Sequence, residues 1–332
     1  MICVYGAGSV GCYVGGRLAA AGADVTFVGR EPLARETAAH GLTLTGLDGT
    51  SDRVEHPRYT TDAEAAADAD LVLLTVKSGA TAEAAECLAE LLRPGAIVVS
   101  LQNGLRNTAT LREALPDQTV LAGTVEFNVA RLGEGRFHRG TAGAVLVQDH
   151  PGLAAYADAL ASAGVAQRPD LGAVQAAKLL INLNNSVNAL SGLPLRTELA
   201  QRDFRRCLAL AHREALGVLR AARLDVGRTA GLPPGLMPVL LRLPDKVFAR
   251  AARRALAVDR HARSSMWDDL EAGRPTEVDH INGEVTALAA EHGRTAPVNA
   301  ELTELVHAAE EGGRRDWPGP ELLDRLKRAA AS

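Results

Sequence analysis

The run Gly6-Ala7-Gly8-Ser9-Val10-Gly11 constrains this chain more than any other feature. It follows the β-branched stretch Ile2–Tyr5 and opens a helical pattern over residues 9–21 that stops at Gly22. In that setting the first glycine permits a tight turn, the second lets a pyrophosphate approach the backbone, and the third lets helix and strand pack closely. Amides at the helix start and the helix dipole then favour phosphate charge. A glycine-rich turn that binds nothing is the alternative, and the strand–turn–helix context weighs against it. A second strand, residues 24–28, runs out into Gly29-Arg30-Glu31. Two readings stay open there. Glu31 reaching a ribose 2′-hydroxyl would select NAD, whereas Arg30 at the strand tip, assisted by Arg35, would meet a 2′-phosphate and select NADP. The place of Arg30 just past the strand favours NADP over NAD. A solvated surface arginine is the plain alternative.

The alternation continues. Residues 41–45 with Asp48-Gly49 read as a small hairpin. The apolar run 71–76 suits a strand buried on both faces. Residues 80–92 read as a helix, and 96–101, Thr119–Val125 and 144–147 as further strands. The expected fold class is α/β, a Rossmann-type, doubly wound parallel sheet followed by an all-helical domain. From Leu171 onward β-branched runs nearly vanish, and helical periods cover 174–190, 203–222, 254–273, 277–292 and 300–310. A last, loosely held helix is expected within 312–332. A chain of 332 residues suits about two domains. The expected division is 1–170 for NADP binding and 171–332 for substrate and catalysis.

Open α/β sheets bind ligands beyond the carboxyl ends of their strands. Lys77 ends the run 71–76, and Asn103, inside Gln102-Asn103-Gly104, follows the run 96–101. A solvated lysine and an ordinary Asn-Gly turn are the alternatives. In the helical half, Lys178, Asn182 and Asn185 recur at i, i+4 and i+7 in an otherwise apolar stretch, so they share one face. A polar line facing a cleft would strip solvent from Lys178 and lower its pKa toward a range useful for proton transfer. A lysine snorkelling out of a half-buried helix is the alternative. Pro275-Thr276-Glu277 reads as a helix start, with Thr276 as cap and Asp279 three residues on.

Charge excludes several function classes. The 36 basic residues against 40 acidic give a formal charge of −4, so nucleic acid and anionic membranes are not expected partners. No apolar run approaches the ~20 residues of a spanning helix. Met1-Ile2-Cys3-Val4-Tyr5 enters a strand pattern without a basic leader. Cys3, Cys12, Cys87 and Cys207 show neither metal nor disulfide spacing. A cytoplasmic protein without a bound metal is the expectation.

In order and spacing, these segments resemble the ketopantoate reductase (2-dehydropantoate 2-reductase) family over nearly the whole chain. The resemblance rests on the glycine run and Arg30. It extends to Leu74-Thr75-Val76-Lys77, Leu101-Gln102-Asn103-Gly104, Lys178-Leu179-Leu180-Ile181-Asn182, and Ser264-Ser265-Met266 leading to Thr276-Glu277. It implies NADPH-dependent reduction of a small 2-oxo acid, 2-dehydropantoate, to (R)-pantoate; the alternatives are a related NAD(P)-dependent dehydrogenase acting on another 2-oxo acid, an opine or a 3-hydroxy acid, and a non-catalytic NADP-binding regulator of the same fold. By position it makes Lys178 the general acid and has Glu277 bind the substrate's hydroxyl end and help hold Lys178. Ser265 would contact the substrate carboxylate, Asn103 and Asn182 would orient substrate and lysine, and Asn185 is a further substrate-binding candidate. The implied cofactor contacts are Gly6, Ala7, Gly8, Ser9, Val10, Gly11, Arg30, Lys77, Asn103 and Glu277. The chain departs from the family at Ser186, where a second asparagine is frequent and for which Asn185 would substitute. It also has Ala262 where some members carry an asparagine, and an arginine-rich stretch at 231–259 that looks long. These departures bear on substrate identity more than on reaction type. Helical second domains often supply dimer faces, so a homodimer is the expected assembly.

Overall fold

A computed structural model describes residues 1–229, 231–251 and 262–331. Residues 254–261 of the expected helix 254–273, and 252–259 of the stretch 231–259, lie outside the described residues. The chain forms two compact units, Met1–Leu171 and Gly172–Ser332.

The first unit runs β1 (Ile2–Tyr5), α1 (Ser9–Ala20), β2 (Val25–Val28), α2 (Glu31–His40), β3 (Leu42–Gly46), β4 (Ser51–Val54), β5 (Arg58–Thr60), β6 (Leu71–Leu74), α3 (Thr81–Leu91), β7 (Ile97–Ser100), α4 (Asn107–Ala114), β8 (Thr119–Val125), β9 (Val129–Gly133), β10 (Arg136–Arg139), β11 (Val145–Gln148), α5 (Ala157–Ser162) and β12 (Val165–Arg168). Eight strands form the main sheet in the order β12-β11-β8-β7-β6-β1-β2-β5. Its neighbours are parallel except β8 and β11, which pair antiparallel. The expected hairpin is β3–β4, Leu42 opposite Val54, but it belongs to a second, four-stranded sheet in the order β4-β3-β10-β9.

Period-2 alternation fills both faces of the main sheet. Val4, Leu73 and Val99 enter one core with Phe27 and Leu18. Cys3, Val72, Leu74 and Val98 enter the other with Ala85, Leu88 and Leu111. Burial on both sides is why β1, β6 and β7 are continuous apolar runs. The run 71–76 pairs as strand only to Leu74, because the chain then turns toward the loop after β1: the Thr75 amide and hydroxyl both donate to Tyr5 O.

The second unit contains α6 (Leu171–Asn182), α7 (Asn184–Ser191), α8 (Leu195–Ala200), α9 (Arg202–Ala221), α10 (Met237–Leu241), α11 (Asp245–Ala251), α12 (Ser265–Glu271), α13 (Asn282–Glu291), α14 (Pro297–Glu310) and α15 (Gly319–Ala329). Central α9 packs against α7, α8, α10, α13, α14 and α15. Arg205 anchors it. This arginine is fully buried, and its guanidinium donates to the carbonyls of Leu199, Ala200, Leu241 and Leu243 and to the Asp245 carboxylate. It thereby satisfies carbonyls at the ends of α8 and α10 that helix geometry leaves without partners.

Three helical expectations change. The expected helix 174–190 is α6 and α7, broken at Leu183. The expected helix 277–292 is a 3-10 turn, Val278–His280, followed by α13. The described part of 254–273 becomes helical only at Ser265, because Ser264 is an extended N-cap with φ −78° and ψ 155°. The tail is also not loosely held. Leu322, Leu323 and Leu326 of α15 are buried, and the helix packs on α9 and α14. Burial of each such leucine stabilises by roughly 1.5–3 kcal/mol. Among the described residues no helix is long and apolar enough to cross a membrane, and no group of His, Cys, Asp and Glu could hold a metal ion.

Candidate active site

The glycine turn separates what the fold needs from what a ligand needs. Gly6 has φ +83°, and a Cβ there would lie 2.3 Å from Val76 Cγ1. A Cβ on Gly11 would lie 2.5 Å from Thr75 Oγ1 and 3.0 Å from Val4 Cγ1. The fold therefore requires both glycines. Gly8 has an ordinary φ of −87°, and among the described residues a Cβ would meet only Gly6 O, at 3.8 Å. Among the described residues no contact demands glycine there; close approach of a pyrophosphate would. The Gly6 and Ala7 amides donate to Val28 O, and the Gly8 amide donates to Gly6 O. The amides of Ser9, Val10 and Gly11 open α1, where helix geometry gives them no intrahelical acceptor. The first turn of α1 has no acidic residue and no side-chain cap, so its positive end is not neutralised.

Tyr59, which sequence reasoning missed, braces this turn. Its hydroxyl donates to Ala7 O at 2.7 Å, and its ring stacks on Phe27 with centroids 6.1 Å apart. Burial pushes the Tyr59 hydroxyl pKa up, so it remains a donor. Gly29 makes room for it, since a Cβ there would sit 2.1 Å from that hydroxyl oxygen.

Arg30 is exposed and extended immediately before α2. Glu31 lies in the first turn of α2 and accepts from Arg35 Nε at 2.7 Å. Arg30 thus holds the strand tip, while Arg35 is engaged with Glu31. Lys77 is exposed and extended ahead of the 3-10 turn Ser78–Ala80. Half-buried Asn103 presents its carbonyl to the Ser78 hydroxyl at 3.0 Å and to Asn107 Nδ2. Gln102 Nε2 donates to Thr81 Oγ1 at 2.7 Å, which extends this buried network between the loops after β6 and β7. The glycine turn, Arg30, Lys77 and Asn103 therefore follow the carboxyl ends of β1, β2, β6 and β7. These four strands are adjacent and parallel, so the residues line one sheet edge. The strand order reverses direction between β1 and β6, where open α/β sheets place their ligands.

In the second unit, Lys178, Asn182 and Asn185 are all half-buried, while Leu179, Leu180 and Leu183 are buried. The line does not follow one helix. The Leu183 amide reaches Leu179 O and Leu180 O, and α7 starts at Asn184. Ser186, at the family's second asparagine position, is fully buried and donates to Leu183 O at 3.1 Å. It therefore serves the break. Ser265 is the exposed first residue of α12. Its neighbour Ser264 is buried: the amide donates to Asn188 Oδ1 at 2.9 Å, and the hydroxyl donates to Asn185 O at 3.3 Å and accepts from the Trp267 amide. Asn185 and the start of α12 are thus brought together.

Glu277 is half-buried, directly before the turn Val278–His280. Thr276 Oγ1 accepts from the Val278 amide at 3.2 Å, as a cap does. The expected return contact from Asp279 is absent because Asp279 instead contacts His307 Nε2 at 2.9 Å. The Thr276 amide donates to Glu310 Oε1 at 2.7 Å, so α14 supplies the partner that the local sequence does not. The hydrogen bond to Glu310 leads the effects that raise the His307 pKa, with Asp279 adding to it.

Comparison with known proteins matches both units. The family described as Ketopantoate reductase PanE/ApbA matches residues 2–152, and Ketopantoate reductase PanE/ApbA C terminal matches residues 170–310. A 2-dehydropantoate 2-reductase of Halobacterium salinarum is 32% identical over 94% of this chain and 99% of its own. A PanE/ApbA family ketopantoate reductase from Ralstonia eutropha JMP134 has TM-score 0.80 and 29% identity over 94% of this chain and 99% of its own. A D-mandelate dehydrogenase in ternary complex with NADH and anilino(oxo)acetate shares the fold, with TM-score 0.77 and 20% identity over 94% of this chain and 99% of its own. With both parts of the family matched in sequence order along one chain, the protein belongs to the ketopantoate reductase family of oxidoreductases.

Proposed function

We propose that the protein reduces 2-dehydropantoate to (R)-pantoate with NADPH, a step in pantothenate biosynthesis. The observation that carries this reading is Gly8, a glycine that no contact among the described residues requires, beside a strand tip occupied by Arg30. Relatives named 2-dehydropantoate 2-reductase support the choice of substrate.

The backbone at Gly6, Ala7, Gly8, Ser9, Val10 and Gly11 would hold the pyrophosphate, and Arg30 would meet the 2′-phosphate. Lys77, Asn103 and Glu277 would border the cofactor. Bound NADPH supplies the hydride and its electron pair. As C2 gains the hydride, the carbonyl π electrons move onto oxygen. The Lys178 ammonium stabilises that charge and gives up one proton to it, leaving a neutral amine and a C2 hydroxyl. Asn182 and Asn103 orient lysine and substrate. Ser265 binds the substrate carboxylate with Asn185 beside it, and Glu277 takes the hydroxyl end and holds Lys178. A homodimer in the cytoplasm completes the proposal. A dimeric ketopantoate reductase from Staphylococcus aureus shares the fold, with TM-score 0.69.

The test is a steady-state panel of 2-oxo acids with NADPH and with NADH. The expected result is the highest kcat/KM for 2-dehydropantoate with NADPH. A higher value for another 2-oxo acid, such as pyruvate with an amino acid, would displace the substrate. Cofactor binding without turnover of any 2-oxo acid would end the reductase reading.

A further inference from the structure

Among the residues that hold Asn185 and the start of α12 is a carboxyl group that the proposed reaction does not use. Glu198 of α8 is fully buried. Its Oε2 accepts from Asn184 Nδ2 at 3.1 Å and from Asn188 Nδ2 at 3.4 Å. Among the described residues its Oε1 is buried without a hydrogen-bond donor, and so is Asn184 Oδ1. An ionised carboxylate would leave two orphan acceptors on side chains that already touch each other, together with a buried charge. Two ionisable groups of α9 act on this site: the Arg205 guanidinium, committed to four carbonyls and Asp245, and the Cys207 thiol, itself raised mainly by burial. From α7 it is faced by the neutral amides of Asn184 and Asn188. One proton on Oε1 supplies the missing donor, and together with the existing Nδ2–Oε2 bond it closes a carboxylic acid–amide pair.

We propose that Glu198 is a positioning residue that works as an uncharged acid, donating Oε1–H to Asn184 Oδ1. It fixes the break between α6 and α7, and through Asn188 the start of α12. The links are direct. Asn184 is the first residue of α7, two positions past Asn182. Asn188 spans Glu198 and the Ser264 amide, and Ser264 holds Asn185 O ahead of Ser265. Glu198 thereby connects the segments that carry Lys178, Asn182, Asn185 and Ser265. Burial supports the assignment by pushing the Glu198 carboxyl pKa up to about 8, against smaller lowering effects of the two amides and Arg205.

The kinetic part of the test rests on the proposed reductase function, and the spectroscopic part does not. An infrared difference spectrum between the parent and Glu198→Gln at pH 7 is expected to show a protonated-carboxyl C=O band in the parent that fades as pH rises past about 8. In kinetics, Glu198→Gln supplies an N–H donor in the same place. It is expected to hold KM for 2-dehydropantoate at the parent's value and to keep it level from pH 7 to 9, where the parent's KM rises. Glu198→Ala is expected to raise KM roughly tenfold with a smaller change in kcat, the scale of one lost buried hydrogen bond. Absence of the C=O band would overturn the uncharged acid. Glu198→Gln as impaired as Glu198→Ala, or Glu198→Ala with the parent's KM, would overturn the positioning role. If the parent turns over no 2-oxo acid, the reductase reading fails. The infrared band then still decides the charge state, and amide exchange at Ser264 and Ser265, faster in Glu198→Ala and unchanged in Glu198→Gln, decides the positioning.

Discussion

The first unit offers its proposed ligand mostly backbone, whereas the second offers side chains set by a buried polar network. Around Gly6–Gly8 the proposed cofactor site needs N–H groups and the absence of a Cβ, and Tyr59 braces the turn through one carbonyl. Around Asn185 and Ser265 the proposed substrate site needs side chains, and hydrogen bonds of Asn188, Ser264 and Glu198 connect the segments that carry them. The difference teaches how each site fails. The backbone site is broken by adding an atom, and the side-chain site by removing a hydrogen-bond partner.

The largest expected effect lies in the second unit. Lys178→Ala should lower kcat by roughly 10²–10⁴-fold, the usual contribution of a positioned proton donor. Fluorescence titration should show NADPH affinity unchanged. Weakened NADPH binding with normal kcat would move Lys178 to the cofactor side of the comparison.

Two glycine variants separate fold from ligand within the first unit. Gly6→Ala forces a left-handed backbone and a Cβ into Val76, and should destabilise by roughly 2–5 kcal/mol. Gly8→Ala meets no such clash. It should keep the parent's melting temperature and weaken NADPH binding about tenfold or more. Equal melting temperatures for all three proteins, or full NADPH affinity in Gly8→Ala, would break the contrast.

Next comes the pH dependence of stability. The Glu198 pKa is raised in the folded state to about 8, so between its ordinary value and 8 the folded protein holds a proton that the unfolded chain has lost. Stability from this group is therefore full at low pH and falls as pH rises toward 8. Burial holds the His212 pKa down to about 4, which gives the opposite slope below 6.5, and the raised His307 adds a falling slope above it; both are shared by parent and variant, so they cancel in the difference over pH 6.5–8. Across it, the stability difference between Glu198→Gln and the parent should shift by about 2 kcal/mol in favour of the variant. Parallel curves would mean that Glu198 is ionised throughout.

The smallest effect is at the surface. Arg30→Ala should reduce the preference for NADPH over NADH about tenfold, measured as a ratio of kcat/KM values. An unchanged ratio would leave Arg30 as a solvated charge.

Legibility in the sequence follows the same division. The glycine turn is readable because its backbone demands are written in consecutive residue types. Tyr59 is not, because β5 is a three-residue edge strand and the Tyr59–Ala7 bond spans 52 positions. The apolar run 71–76 reads as one strand, although Val76 leaves the sheet to pack on Gly6. The break at Leu183 is hidden because apolar periodicity continues through Leu179, Leu180, Leu183 and Val187, all buried. The contact beside it, Asn184 Nδ2 donating to Glu198 Oε2, is tertiary and has no local mark. Likewise the partner of the Thr276 amide comes from Glu310, 34 positions away.

A crystal structure of the ternary complex with NADP and pantoate tests the central claim most directly. The account predicts Lys178 Nζ about 2.6–3.2 Å from the C2 hydroxyl oxygen, with the pyrophosphate against Gly8. A Lys178 amine beyond the reach of one bridging water from that oxygen, with pantoate bound, would contradict it.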